Sequence, residues 1–206
     1  MEKQFESRKI RAQTMKLIIL DRDGVINPDR DDFVKSVDEW IPIDGSMDAI
    51  PFLTPAGYTI AVATNQSGIG RKYFTVQDLT EMHAKMHRLA VQAGGTIDGI
   101  WFCPHTAADN CECRKPKPGM IIDIIERFKA NAAETWLVGD SLRDLQAIDA
   151  AGGKSALVLT GKGKKTLAKH EQDLPEHNQV CDNLLAFSQY IMRENTQIEE
   201  AAQAIL

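Results

Sequence analysis

The sequence predicts an α/β fold in which helices cover both faces of a doubly wound parallel sheet. Short apolar runs of strand length alternate along the chain with longer amphipathic segments of helical period. The runs are continuously apolar, as expected for strands buried on both faces. Several runs end directly in acidic or polar residues, which the carboxyl ends of parallel strands would bring to one edge of the sheet.

Length and composition indicate one globular domain. The chain has 206 residues, 43% hydrophobic and 26% charged, and a net charge of −5, which argues against non-specific binding to nucleic acid or anionic membranes. No apolar run approaches membrane-spanning length, and the first residues lack a secretory signal. We therefore expect a cytoplasmic monomer with neither a nucleic-acid nor a membrane partner.

The chain divides into three parts. Residues 1–15 form a polar N-terminal extension, and either Met1 or Met15 could be the start. Residues 16–192 form a single domain, and residues 193–206 form a tail of weak helical character.

The first strand is predicted at residues 17–20 and runs into Asp21 and Asp23. Residues 25–40 are polar and irregular, which is typical either of a substrate loop or of a plain surface excursion. A short helix follows over residues 44–54.

The second strand is predicted at residues 58–63. It is followed by Thr64, Asn65, Gln66 and Ser67. Gly68 and Gly70 come next and would let backbone N–H groups approach an anion.

An amphipathic helix is predicted over residues 75–93, beginning with a capping box of Thr75 and Asp78. His83 and His87 lie four residues apart on it, a spacing that can bind metal. With no Glu or Cys partner nearby, we interpret both as solvated histidines.

The remaining elements continue the alternation. Further strands are predicted at residues 97–103, 135–138, 155–159 and 179–181, and further helices after Pro118 and over residues 141–151 and 183–192. The basic run at Lys162, Lys164, Lys165 and Lys169 is interpreted as a solvated face.

Acidic residues from distant parts of the chain predict a magnesium site at the sheet edge. Asp21, Asp23 and Asp140 follow two of the strands, and three carboxylates in one crevice need a divalent cation with oxygen ligands. Such a metal could clamp a phosphate while a carboxylate attacks phosphorus, with Lys115 or Lys117 balancing charge. The alternative is that Asp21 and Asp23 are turn residues. Asp144 could lie near the metal or only cap a helix with Ser141.

The motifs DRDG (residues 21–24), the strand ending in Thr64, Lys115, and GDSLRD (residues 139–144) resemble those of the haloacid dehalogenase (HAD) superfamily. The resemblance implies a Rossmann-like fold with Asp21 as nucleophile and Asp23 as general acid/base. Thr64 would bind phosphate, Lys115 would stabilise the phosphoryl-enzyme, and Asp140 would ligate Mg²⁺.

A second cluster indicates zinc. Cys103, His105, Cys111 and Cys113 lie within residues 103–113, and a disulfide framework is not expected without a secretory signal. Four protein ligands leave no open position, so the ion would be structural and would fix the loop that carries Arg114 and Lys115. Cys181 stands alone in an apolar run and is interpreted as packing.

DRDGVIN, TNQSGIGR, CPH and CxCRKPKPGM further resemble the heptose 1,7-bisphosphate 7-phosphatases, with histidinol-phosphate phosphatases as close relatives. The resemblance implies a capless, Mg²⁺-dependent phosphomonoesterase that removes the C7 phosphate of D-glycero-D-manno-heptose 1,7-bisphosphate during lipopolysaccharide core synthesis. By position, the substrate would contact a set of residues on three loops: Asp29, Phe33, Thr64, Asn65, Gln66, Ser67, Arg114 and Lys115.

Three alternatives stay open. A histidinol-phosphate phosphatase would share the chemistry. A nucleic-acid 3'-end phosphatase would share it as well, although the acidic balance and the lack of an aromatic–basic stripe count against it. A phosphate-binding module without catalysis is the third.

Overall fold

The computed structural model describes residues 15–203, in which six strands form one parallel sheet. The strands are β1 (Lys16–Leu20), β2 (Tyr58–Asn65), β3 (Gly99–Cys103), β4 (Trp136–Gly139), β5 (Lys154–Val158) and β6 (Asn178–Cys181). Their order is β3-β2-β1-β4-β5-β6, with every neighbouring pair parallel. The predicted doubly wound sheet is confirmed.

Helices occupy most of the connections. They are α1 (Ser46–Leu53), α2 (Ser67–Gly70), α3 (Val76–Gln92), α4 (Gly119–Phe128), α5 (Leu142–Ala150), α6 (Gly163–His170) and α7 (Leu184–Gln203). Short 3₁₀ turns lie at Ala107–Asp109, Ala132–Glu134 and Glu171–Asp173. Among the described residues no helix is both long enough and apolar enough to cross a bilayer.

The sheet separates two apolar layers because strand side chains alternate between its faces. On one face Ile18 and Leu20 of β1 join a cluster with residues of α1, α3 and α7. On the other, Leu17 and Ile19 join a cluster with residues of α4 and α5. These four apolar side chains of β1 are fully buried, which explains the continuous apolar run.

The strand order reverses between β1 and β4, which are hydrogen-bonded neighbours. In open α/β sheets a crevice forms at this point, beyond the carboxyl ends of the strands. Asp21 follows β1 and Asp140 follows β4, so the fold delivers both carboxylates to the crevice.

Several element boundaries differ from the sequence prediction. β2 continues through Thr64 and Asn65, because these residues pair with Phe102 and Cys103 of β3. α6 was not predicted, since its residues are mostly polar and basic. α7 passes Met192, its predicted end, and continues to Gln203. Of the predicted N-terminal extension, residues 1–14 lie outside the described residues.

Candidate active site and metal centres

A cavity of about 190 Å³ lies in the crevice at the carboxyl end of the sheet. The sequence-predicted residues that line it are Asp21, Asp23, Asp29, Phe33, Thr64, Asn65, Gln66, Ser67 and Arg114. The other lining residues were not predicted as site residues; they are Arg30, Asp31, Val34, Arg143 and Lys162. The structure therefore brings together predicted residues from three separate loops.

Lys115 is buried next to Asp21 and does not itself line the cavity. Its Nζ lies 2.6 Å from Asp144 Oδ1 and 3.1 Å from Asp21 Oδ1, and it donates to the Ala63 carbonyl at 2.7 Å. Burial opposes its charge, but Asp144 and Asp21 outweigh burial and raise the pKa of Lys115. Lys117, the other predicted candidate, instead pairs with Glu112.

Asn65 holds the backbone of Lys115 in place. Its side-chain Oδ1 accepts from the Lys115 N–H at 3.1 Å, and its Nδ2 donates to the Lys115 carbonyl at 3.0 Å. These two hydrogen bonds join β2 to the loop before α4. Asn65 therefore fixes the position of the Lys115 backbone.

Asp21 is 4% exposed and faces the cavity. Its Oδ1 accepts from the Arg22 N–H at 2.7 Å and lies beside Lys115. Burial is the largest influence and raises the pKa of Asp21 to about 6, although Lys115 opposes the rise. With a pKa near 6, the carboxylate is mostly ionised at neutral pH.

Asp140 carries a buried oxygen without a partner. Its Oδ2 accepts from the Lys162 N–H at 2.7 Å, whereas Oδ1 has no hydrogen-bond partner among the described residues. Burial, followed by the charges of Asp144 and Asp21, raises the pKa of Asp140 to about 8. Such an uncompensated carboxylate oxygen suits a hard cation such as Mg²⁺.

Glycines make room for this carboxylate. A Cβ on Gly24, whose φ is +90°, would lie 2.0 Å from Asp140 Oδ2, and one on Gly161 would lie 2.2 Å from the same atom. The glycine of DRDG is therefore needed both for its backbone conformation and for the close approach of Asp140.

Asp21, Asp140 and Asp144 form the carboxylate cluster, with one oxygen from each within 4.8 Å of the others. Asp144 also forms a capping box with Ser141 at the start of α5. It therefore lies near the predicted metal site and caps the helix as well, so the structure contains both predicted arrangements. The structure does not place the Asp23 side chain in this cluster. Asp144 suits a cation least, since Lys115 contacts its Oδ1 at 2.6 Å and Ser141 donates to its Oδ2, whereas Asp21 faces the cavity and Asp140 Oδ1 has no hydrogen-bond partner among the described residues.

The Asp23 carboxylate is held by three side chains. Arg22 donates through Nη2 to both oxygens, at 2.9 and 3.0 Å, and Asn27 and Gln66 donate at 2.9 and 2.7 Å. Burial raises the pKa of Asp23, but Arg22 and the hydrogen bonds prevail and lower it. Gln66 also donates to Thr64 Oγ1 at 2.8 Å, which ties Asp23 to the end of β2.

The glycines after β2 serve packing. The Gly70 N–H donates to the Pro104 carbonyl at 3.0 Å, so it is not available to an anion as predicted. A Cβ on Gly68 would lie 2.1 Å from the Phe74 ring. The close approach of neighbouring loops therefore explains why glycine occupies both positions.

The sequence interpretation missed two cations. Lys162, predicted to be solvated, pairs with Asp29 at 2.7 Å and lines the cavity. Arg143 also lines it; burial opposes its charge, but Asp144, Asp21 and Asp140 outweigh burial and raise its pKa. The available signal for Arg143 was its place inside GDSLRD, in the first turn of α5.

His83 was also misinterpreted. It is 9% exposed and its Nε2 lies 3.4 Å from Arg22 Nη1, whereas His87 is exposed as predicted. The cause is Arg22 itself: this guanidinium is fully buried beneath α3, and His83 is the α3 side chain that meets it.

Cys103, His105, Cys111 and Cys113 form the thiol cluster at the end of β3. The sulfur atoms lie 3.3 to 3.6 Å apart, and His105 Nδ1 lies 3.3 Å from Cys113 Sγ. Four ligands at zinc–sulfur bond length would place sulfurs about 3.8 Å apart, so the donor set fits tetrahedral zinc. No disulfide joins the described cysteines, and Cys181 lies apart in β6.

Comparison with known proteins identifies the family. A HAD-hydrolase-like family model matches residues 112–187. The D-glycero-beta-D-manno-heptose-1,7-bisphosphate 7-phosphatase of Neisseria meningitidis serogroup B is 83% identical over 182 residues, which cover 88% of this chain and 97% of the relative. The chain belongs to this family of heptose-bisphosphate phosphatases. The sequence resemblance is confirmed, and with it the assignment to HAD-type phosphatases.

Other members of the heptose-bisphosphate phosphatase family agree. The Bordetella bronchiseptica enzyme of the same name is 52% identical over 180 residues, which cover 87% of this chain and 99% of that enzyme. A crystal structure of the D,D-heptose 1,7-bisphosphate phosphatase from B. bronchiseptica, complexed with magnesium and phosphate, superposes with a TM-score of 0.84, at 52% identity and over 87% of this chain and 99% of the other. A second, from Burkholderia thailandensis, is 48% identical with a TM-score of 0.67, over 86% and 98%.

Proposed function

We propose that this chain is a Mg²⁺-dependent phosphomonoesterase that removes the C7 phosphate of D-glycero-beta-D-manno-heptose 1,7-bisphosphate, in the synthesis of lipopolysaccharide core heptose. The observation that carries the proposal is Asp21, ionisable and facing the cavity, set against buried Lys115 and next to a carboxylate with an unpartnered oxygen. The substrate follows from the relatives' names.

Asp21 acts as the nucleophile. Its carboxylate attacks phosphorus and displaces the C7 oxygen of the sugar, forming an aspartyl-phosphate. Lys115, 3.1 Å from Asp21, stabilises the negative charge of the phosphoryl group once Asp21 is esterified. Asp21 and Asp140 hold the Mg²⁺, which when bound neutralises phosphoryl charge.

Asp23 acts as general acid and then as general base. In the resting site its lowered pKa keeps it ionised, and the negative charge of a bound phosphate next to it raises that pKa so that it can carry a proton. It donates this proton to the departing sugar oxygen and afterwards takes one from the water that hydrolyses the aspartyl-phosphate. We therefore assign its carboxylate to proton transfer rather than to metal ligation.

The substrate lies in the cavity between three loops. Thr64, Gln66 and Ser67 line the phosphate end with Asp21. Asp29, Phe33 and Arg114 line the wall predicted to contact the sugar, and Arg143 and Lys162 add positive charge there. Together with Arg30, these groups offset the charge of the four lining aspartates, Asp21, Asp23, Asp29 and Asp31. Arg114 and Arg143 are of the side-chain type that binds a second phosphate.

We propose a structural Zn²⁺ in the thiol cluster. Arg114 Nη1 donates to the carbonyl of His105, one of the four ligand residues, at 3.1 Å. Fixing the loop at its ligands would therefore fix Arg114, and with it the neighbouring Lys115, against the cavity.

The test is phosphate release from the purified protein. With Mg²⁺, ³¹P NMR should show loss of the C7 phosphate signal of the heptose bisphosphate while the C1 signal persists, and EDTA should stop the reaction. Faster release from histidinol phosphate would reassign the substrate, and no release from either would overturn the proposal.

We also propose that the chain works as a monomer in the cytoplasm. All the charged groups named above come from one chain, so no second copy is required to complete the site. Light scattering after size-exclusion chromatography should give the mass of one chain, and a dimer mass would contradict the monomer.

A further inference from the structure

His83 of α3 contacts Arg22, which lies between Asp21 and Asp23 in the loop after β1. It is 9% exposed, and its ring packs edge-on against Phe102 of β3 with the ring centroids 6.4 Å apart. Its Nε2 lies 3.4 Å from Nη1 of Arg22, whose side chain is also buried. His83 thus contacts the loop that carries Asp21 and Asp23, although it does not line the cavity.

The direction of this hydrogen bond follows from chemistry. A guanidinium has only donors, so Arg22 Nη1 must donate and His83 Nε2 must accept. Burial, together with the Arg22 charge, lowers the pKa of His83 to about 3, so the ring is neutral at any pH at which the enzyme would work. His83 is therefore a fixed acceptor for Arg22.

The opposite edge of the same guanidinium holds Asp23. Arg22 Nη2 donates to both carboxylate oxygens, and Nε donates to Oδ1 at 3.2 Å. The guanidinium is planar and rigid, so its orientation at one edge sets its orientation at the other. An acceptor at Nη1 thus restricts the rotation that would carry Nη2 and Nε away from Asp23.

We propose that His83 is a positioning residue for Asp23 and acts through Arg22. The inference rests on the proposed function, because it assumes that Asp23 transfers the proton to the leaving oxygen. Without His83 the buried Nη1 has no acceptor among the described residues, and the guanidinium turns to find one. The carboxylate of Asp23 then loses the hydrogen bonds from Arg22 Nη2 and Nε that orient it, and proton transfer slows.

Leaving-group dependence separates positioning from general damage. An alkoxide leaving group needs the proton from Asp23, whereas p-nitrophenolate is a weak base and departs without it. His83→Leu should lower kcat/KM for the sugar phosphate by about tenfold and leave kcat/KM for p-nitrophenyl phosphate within about twofold. The comparison uses kcat/KM because it reports the formation of the aspartyl-phosphate and excludes its later hydrolysis, in which Asp23 serves both substrates as the base. A purely structural role would lower both kcat/KM values by the same factor.

Two further variants complete the experiment. His83→Gln keeps an acceptor oxygen and should restore most of the sugar-phosphate rate. His87→Leu makes the same change one turn further along α3, at an exposed position, and should behave as wild type. If His83→Leu is insoluble, His83→Met takes its place in the experiment. Methionine also removes the acceptor, and its side chain is closer in length to histidine than leucine is.

Each outcome decides the inference. A selective loss with the sugar phosphate that His83→Gln reverses supports it. Equal losses with both substrates, no loss with either, or no rescue by glutamine overturns it. Failure of the wild-type protein to hydrolyse the heptose bisphosphate would overturn the proposed substrate instead. The ratio of variant to wild-type rates can then be measured on any alkyl phosphate that the wild type does hydrolyse.

Discussion

The carboxylate cluster and the thiol cluster are assembled in opposite ways. The members of the carboxylate cluster follow two different strands, are all buried, and already have a cation, Lys115, in contact with two of them. The thiol cluster lies within residues 103–113, only Cys103 of it is buried, and its side chains contact one another.

This difference predicts different dependence on metal. The sheet and the buried ion pairs hold the carboxylate cluster together, so Mg²⁺ should be needed for chemistry but not for folding. The thiol cluster sits in a loop with little buried surface, so Zn²⁺ should be what orders that loop. One ion would serve the reaction and the other the local structure.

The largest expected effect tests the chemical side of this comparison. Asp21→Asn removes the proposed nucleophile, and we expect the phosphatase rate to fall on the order of 10⁴-fold or more. The thermal midpoint and zinc content should stay close to those of the wild type, because the fold and thiol cluster are untouched. Asp149→Asn, at an exposed position of α5, is the control and should keep full activity. Substantial turnover by Asp21→Asn would contradict the assignment.

A lysine pair tests whether the carboxylate cluster depends on its internal cation. Lys115→Met leaves Asp21 and Asp144 buried without their shared partner, and we expect a loss of about 3–5 kcal/mol in the free energy of unfolding. Lys117→Met removes a half-exposed ion pair with Glu112 and should cost at most about 1 kcal/mol. Urea unfolding followed by circular dichroism measures both. Equal costs would show that Lys115 does not hold the cluster.

A cysteine pair tests the structural side. Cys111→Ser should lower bound zinc to a small fraction and reduce activity about tenfold, because Arg114 and Lys115 lose a fixed loop. Cys181→Ser changes a cysteine of β6 that lies outside the cluster and should leave zinc content unchanged. Metal analysis and steady-state rates decide; unchanged zinc and activity in Cys111→Ser would refute the zinc site.

The smallest expected effect is a pH dependence of stability. Burial, then Asp144 and Asp21, raise the pKa of Asp140 from 3.8 to about 8, so the metal-free folded state keeps a proton that the unfolded state has released. In EDTA the thermal midpoint should therefore fall by a few degrees as pH rises from about 6 to about 8, and then level off. Mg²⁺ binds the ionised form and should stabilise the protein more at about pH 8 than at about pH 6.

Asp140→Asn is the control for that experiment. It has no titrating group at this position, so its midpoint should lack this part of the slope and should not respond to Mg²⁺ at either pH. A wild-type slope retained in the variant would assign the titration to other groups.

Much of the fold could be predicted because local and global signals agree. The apolar run of β1 is buried on both faces of the sheet, and the capping pairs Thr75–Asp78 and Ser141–Asp144 do begin helices. The convergence of Asp21 and Asp140 follows from strand order alone, since both follow strands that flank the reversal.

The remaining features depend on contacts between residues far apart in sequence. His83 and Arg22 are separated by 61 positions, and neither is apolar, so periodicity does not reveal that they bury each other. Lys162 lies in a basic run, but its backbone N–H and side chain meet Asp140 and Asp29 across the crevice. Polar burial of this kind is determined by pairing and not by composition.

The central claim, that the phosphoryl group passes through Asp21, can be tested by trapping the intermediate. Enzyme quenched in acid during turnover of the heptose bisphosphate with Mg²⁺ can be digested and analysed by peptide mass spectrometry. We predict one added phosphoryl group on the peptide that contains Asp21, and none in Asp21→Asn. A phosphoryl group on a different residue, or labelling that persists in Asp21→Asn, would contradict the account.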